Sequence, residues 1–212
     1  MSSEALIHVI DDDSAARDSL EFLLRSARFE VRTYDSAKTF LDAVRTIGGG
    51  CIITDVRMPE ISGVDLLRRL KELQVAVPVI VVTGHGDVQL AVEAMKIGAA
   101  DFLEKPFDDD VLLASVRTAL ARREQAVHHD AQRTQLHDRL ATLSHRERQV
   151  LEGLVAGKPN KIIAYDLGIS PRTVEIYRAN VMTKMQASSL SELVRMALVA
   201  GLLPFESREL GL

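Results

Sequence analysis

Five side chains in the first half of the chain could handle a phosphoryl group together, because each stands where an apolar run gives way to a loop. Asp55 closes the run Cys51-Ile52-Ile53-Thr54, and Arg57, Met58 and Pro59 then stop any regular element. Asp11 and Asp12 follow Leu6-Ile7-His8-Val9-Ile10. Thr83 closes residues 78–82, and Lys105 follows residues 100–103 and precedes Pro106. Short β-branched runs bounded by turn residues read as buried strands. Taken singly, Asp55 is more simply a turn-capping carboxylate, Thr83 a strand-end hydroxyl and Lys105 a surface lysine. Five such residues at the ends of four strands make coincidence a poor account.

Their chemistry is coherent. Three carboxylates do not crowd together without raised pKa values or a cation. Hard oxygen donors, with no His or Cys beside them at the strand ends, point to Mg²⁺, which keeps several waters and often bridges to phosphate. An Asp carboxylate can act as a nucleophile and form an aspartyl-phosphate. The cation and Lys105 would neutralise charge on the equatorial oxygens, and Thr83 could donate its hydroxyl hydrogen to one of them.

The elements that must position these residues alternate. Strands are expected at 6–10, 31–34, 52–54, 78–83 and 100–103. Helices follow them, from Ser14 or Asp13 as cap, over 37–44, 63–73 and 88–97, and from about Asp108. Five strand–helix alternations predict a parallel, doubly wound α/β sheet with helices on both faces. All the strands' carboxyl ends then share one edge, where sites form in open α/β sheets.

The order DD, then D-x-R-M-P-x-x-S-G, T-G-H-G-D and D-F-x-E-K-P-F resembles the receiver domain of bacterial two-component response regulators, over roughly residues 4–123. The resemblance implies a flavodoxin-like fold with Asp55 as phosphoacceptor. It implies Mg²⁺ held by Asp12 and Asp55 directly, by Asp11 through water and by the backbone carbonyl of Arg57. Lys105 and Thr83 would bind the phosphoryl group, Thr83 and Phe102 would form the switch, and the Lys105–Pro106 bond would be cis. Arg57 and His85 occupy positions that tune phosphoryl lifetime among such domains.

Asp108-Asp109-Asp110 suits a helix start. From Val111 to about Leu140 there is no Gly or Pro, and good helix formers dominate. Residues 124–140 form a linker that reads either as one long helix or as a helix fraying into a polar tether. Composition favours the helix, which with so few apolar residues is marginal without a partner.

Residues 141–212 read differently. Ser144 and Glu147 make a capping box, Gly157 and Gly168 end two short helices, and Ser170-Pro171 opens a third. A last helix starts at Ser189 or Ser191 and stops near Gly201. Four short helices with a tight Gly turn make an all-α helix-turn-helix module. L-S-x-R-E-R-Q-V-L, N-K-x-I-A and S-P-R-T-V-E resemble LuxR-type DNA-binding domains, and T-G-H-G-D-V with R-A-N-V-M-x-K-M resembles the FixJ type of regulator in rhizobia. The third helix would lie in the major groove. Arg172 and Lys184 are expected mainly on phosphates and Glu175 and Arg178 near base edges, with Thr173 and Lys161 as further DNA contacts.

Net charge fits two partners. Residues 141–212 hold 9 Lys and Arg against 7 Asp and Glu, and residues 1–140 hold 17 against 23, which accounts for the net −4. One Cys excludes a disulfide framework, and no apolar run reaches membrane-spanning length, so a cytoplasmic protein without membrane contact is expected. The resemblance implies a regulator rather than an enzyme, assisting only its own phosphorylation and dephosphorylation. A FixL-like sensor histidine kinase would supply the phosphoryl group. A homodimer would form on phosphorylation, bind promoter DNA and engage RNA polymerase, at nitrogen-fixation or microaerobic genes. A Mg²⁺-dependent phosphatase of the haloacid-dehalogenase type would need an Asp two residues after Asp55, where Arg57 stands. A regulator indifferent to phosphorylation would not need the intact acidic set.

Overall fold

The computed structural model describes residues 5–44, 47–84 and 88–201, with only the backbone of residue 88. His85 and residues 202–212 lie outside the described residues. Two compact units emerge, residues 1–126 and 127–212.

In the first unit, β1 (Leu6–Ile10), β2 (Glu30–Tyr34), β3 (Cys51–Asp55), β4 (Val79–Thr83) and β5 (Asp101–Glu104) form one parallel sheet in the order β2-β1-β3-β4-β5. Strands buried on both faces must be apolar almost throughout, which explains the fully buried Ile7, Val9, Ile52, Ile53, Ile80 and Val82. On one face α1 (Ser14–Ser26) and the start of α5 (Asp109–Ala141) cover Ile7, Val9, Ile53 and Ile80 through Leu24, Leu112 and Val116. On the other, α2 (Ala37–Ala43), α3 (Gly63–Glu72) and α4 (Val88–Ile97) cover Ile10, Ile52 and Val81 through Phe40, Leu66, Leu70 and Ala94. Asp13, not Ser14, caps α1, accepting from the N–H groups of Ala15 and Ala16 at 2.8 and 3.4 Å.

The strand order reverses between β1 and β3, and that crevice is where ligands settle in such sheets. Gly63 brings α3 close beneath it. A Cβ there would stand 2.2 Å from the Asp55 carbonyl oxygen, so no larger residue fits without moving the acceptor loop.

α5 is continuous over the stretch that could have frayed. It gives Leu112 and Val116 to the first unit's core and Leu136 and Leu140 to the second's. The second unit adds α6 (His145–Val155), α7 (Asn160–Leu167), α8 (Pro171–Met185) and α9 (Leu190–Val199) around Val150, Leu151, Ile163, Val174, Val181 and Leu193. Both halves of the capping box are made, and Ser189 caps α9. Gly168 takes φ 64°, the left-handed conformation that lets α7 end and α8 leave within a few residues. Among the described residues no helix is long and apolar enough to cross a membrane.

Candidate functional site

Lys105 is the centre of the rim. Its Nζ donates to Asp55 Oδ1 at 2.8 Å and to Asp11 Oδ2 at 2.9 Å, joining residues 50 and 94 positions away. Partial burial alone would pull the ammonium's pKa down, but the hydrogen bonds and charges of Asp55 and Asp11 outweigh it and hold the pKa above its ordinary value. The backbone fixes the other oxygens. Asp55 Oδ2 accepts from the Arg57 N–H at 2.6 Å, and Asp11 Oδ1 from the Asp13 N–H at 2.9 Å. Lys105 is itself anchored, its backbone N–H donating to the Thr83 carbonyl at 2.7 Å. The Lys105–Pro106 peptide is cis.

Of the three expected carboxylates, two converge. Asp11 is 3 % exposed and shares the ammonium with Asp55, whereas Asp12 stands exposed one residue along. Among the described residues no three acidic, His or Cys side chains form a set that could hold a metal by themselves. The donor chemistry nevertheless suits Mg²⁺, which takes one or two carboxylates and completes its shell with water and phosphate oxygens rather than with a protein cage.

Thr83 is buried at the end of β4. Phe102 pairs in register with Val81 on β4, and its partly buried ring packs against the core beneath α2, α3 and α4. On the neighbouring helices Val92, Met95 and Val111 are about half exposed.

In the second unit, Val174, Val181 and Met185 turn one side of α8 inward. The outward side carries Arg172 and Glu175, joined at 3.0 Å and both well exposed. Ile176 is 54 % exposed beside them, an apolar residue on this face that the polar pattern did not single out. Arg178 is half-buried, and Thr173 shares a 2.8 Å hydrogen bond with the capping Ser170. Lys161 is exposed on α7. Lys184 stands one residue before the end of α8. Its Nζ donates to Glu147 Oε2 at 2.7 Å and to the Thr142 carbonyl at 3.1 Å, so its charge is engaged within the unit.

A model of the response regulator receiver domain matches residues 7–117, and a model of bacterial regulatory proteins of the luxR family matches residues 141–197. The transcriptional regulatory protein FixJ of Bradyrhizobium diazoefficiens is 57% identical over 203 residues, covering 96% of this chain and 99% of that protein. FixJ of Azorhizobium caulinodans is 61% identical over 198 residues, 93% of this chain and 94% of the other. Full-length FixJ from B. japonicum has a solved structure, 56% identical, with a TM-score of 0.62 over 95% of this chain and 100% of that one. The response regulator StyR aligns with a TM-score of 0.80 at 39% identity, covering 92% of this chain and 99% of its own.

Proposed function

Since the chain belongs to the FixJ-like response regulators, a receiver domain followed by a LuxR-type DNA-binding domain, we propose that a phosphoryl group on Asp55 switches its use of promoter DNA. The observation that carries this is the bridge from Lys105 to Asp55 and Asp11. An acceptor carboxylate needs a cation poised where negative charge gathers as the phosphoryl group arrives. Asp55 attacks phosphorus in line. Its new O–P bond forms as the P–N bond to a phosphohistidine of the sensor kinase breaks, and the imidazole leaves with a proton. Lys105 then follows the phosphoryl oxygens, and the Thr83 hydroxyl donates to one of them. Mg²⁺, held by Asp12 and Asp55, by Asp11 through water and by the Arg57 carbonyl, would supply the remaining neutralisation.

As Thr83 turns to the phosphoryl group, Phe102 moves further into the space it leaves, and the surface of α4, β5 and α5 changes. Val92, Met95 and Val111 are the half-exposed apolar side chains there that a second copy would cover. One charged group biasing a two-state element is the expected logic of such a switch. The dimer presents two copies of α8 to two half-sites, and RNA polymerase is recruited to the occupied promoter.

The test is phosphotransfer from a FixL-like kinase, followed by sedimentation and promoter binding. Wild type should acquire one hydroxylamine-labile phosphoryl group, dimerise and bind DNA, whereas Asp55→Asn should do none of these in response to the kinase. Full labelling of Asp55→Asn, or equal self-association with and without phosphoryl donor, would overturn the reading.

A further inference from the structure

The C-terminal end of α8 is held by a polar lock that DNA recognition does not explain. Lys184 points back from α8 to Glu147 Oε2 at 2.7 Å and to the carbonyl of Thr142 at 3.1 Å. Glu147 is only 4 % exposed, and the same Oε2 accepts from the Ser144 backbone N–H at 2.7 Å. One carboxylate thus closes the N-terminus of α6 and anchors α8. From the other side, Arg139 on the last turns of α5 donates from Nη1 to the Met185 carbonyl at 3.1 Å. The Lys184 ammonium, with the Ser144 N–H, holds the Glu147 carboxyl at about 2, so this carboxylate stays ionised at any physiological pH.

We infer that Glu147, Lys184 and Arg139 are positioning residues for DNA recognition: they fix the C-terminal end of α8 against the corner between α5 and α6, and Lys184 serves this lock rather than a DNA phosphate. This rests on α8 being the helix that enters the groove. The apolar contacts of Val174, Val181 and Met185 decide which side of α8 faces out. Burial is non-directional and leaves small tilts of the helix inexpensive. Directed charged hydrogen bonds at one end remove that freedom. The outer face reads base edges only within a narrow range of tilt, so loosening the far end weakens contacts made by Arg172 and Glu175 although neither residue is touched. A Lys already neutralised by a buried Glu and donating twice within its own unit displaces few counterions from DNA.

That last point separates the two roles of Lys184. The measurement is DNA affinity of the phosphorylated full-length chain between 50 and 200 mM salt, by fluorescence anisotropy. The duplex is one selected by the wild type from a random pool, and each variant's melting is followed by circular dichroism. Lys184→Met and Arg139→Gln should each bind about tenfold more weakly with the salt slope unchanged, Glu147→Gln should weaken binding to a similar extent, and Lys184→Met/Glu147→Gln should be no worse than either single change. Arg172→Ala, a phosphate contact, should instead lower the slope by about one. If Lys184→Met lowers the slope by about one while Glu147→Gln binds as wild type does, the inference is overturned and Lys184 is a phosphate contact. Unchanged affinity in all three lock variants overturns it too. Should Lys184→Met melt below the assay temperature, Arg139→Gln, which leaves the Lys184–Glu147 pair in place, decides on the same criteria. If Arg172→Ala changes neither affinity nor slope, it is the reading of α8 as the groove helix that has failed.

Discussion

Replacing Lys105 by Met removes the ammonium that bridges Asp11 and Asp55. Their nearest oxygens are no farther apart than the 2.8 and 2.9 Å bonds to Nζ laid end to end. At an effective dielectric of about 20, two negative charges at such a separation repel by about 3 kcal/mol. The rim is open, with Lys105 itself 32 % exposed, so solvent screening should leave about half of that. A divalent cation relieves this repulsion in the variant and is no longer opposed by the ammonium, so Mg²⁺ should bind Lys105→Met about tenfold more tightly. Phosphorylation should move the opposite way. Removing one preorganised donor from a developing anion costs about 10²-fold in rate. Calorimetric titration gives the Mg²⁺ affinity, and intact mass after exposure to acetyl phosphate gives the rate. Weaker Mg²⁺ binding in the variant would mean that Lys105 helps build the cation site rather than competing with it. Wild-type phosphorylation would mean that its ammonium is not used on the phosphoryl group. Either result refutes the reasoning.

Three further outcomes are expected. Leu140→Ala removes a side chain only 4 % exposed in the second core, and should cost that unit about 2–3 kcal/mol in urea denaturation followed by far-ultraviolet dichroism, while the first unit's transition stays put; one unshifted profile would place Leu140 outside the core. Glu147 titrates at about 2 in the folded chain against 4.5 as its ordinary value, so its stabilisation is complete above pH 4.5 and is lost as pH falls towards 2. Glu147→Gln should therefore flatten that part of the acid-denaturation curve, and an unaltered curve would show that the pair does not act on stability. Gly63→Ala should impair phosphorylation of Asp55 by displacing its loop, since the added Cβ meets the Asp55 carbonyl; full activity with an unshifted melting temperature would contradict the close approach.

The strand ends were legible because each depends on a short stretch alone. An apolar run buried on both faces of a sheet writes its own start and stop, so the sequence alone places Asp11, Asp55, Thr83 and Lys105 on one edge. What the run cannot say is which carboxylates meet. Asp11 and Asp12 are equivalent by type. Only the alternation of side chains leaving β1 buries one against Lys105 and leaves the other in solvent.

The same distinction explains Lys184. Ser144 and Glu147 announce a capping box within four residues, and the box is there. The second duty of Glu147 spans 37 residues and depends on the angle between α6 and α8, which no local pattern encodes. A Lys on the polar side of a helix is therefore placed by packing as well as by local pattern, here against Glu147. The linker carried a signal of its own. Leu136, Leu140 and Leu143 recur at helical spacing and are all buried in the second core. Averaged over residues 122–139 the stretch looks like a polar tether, because only Leu136 of that stripe falls within it. The stripe is confined to the turns that meet α6 and α8, and Arg139 within it reaches the end of α8. The close of α5 is therefore part of the second unit's core, and Arg139 ties it to the last turn of α8.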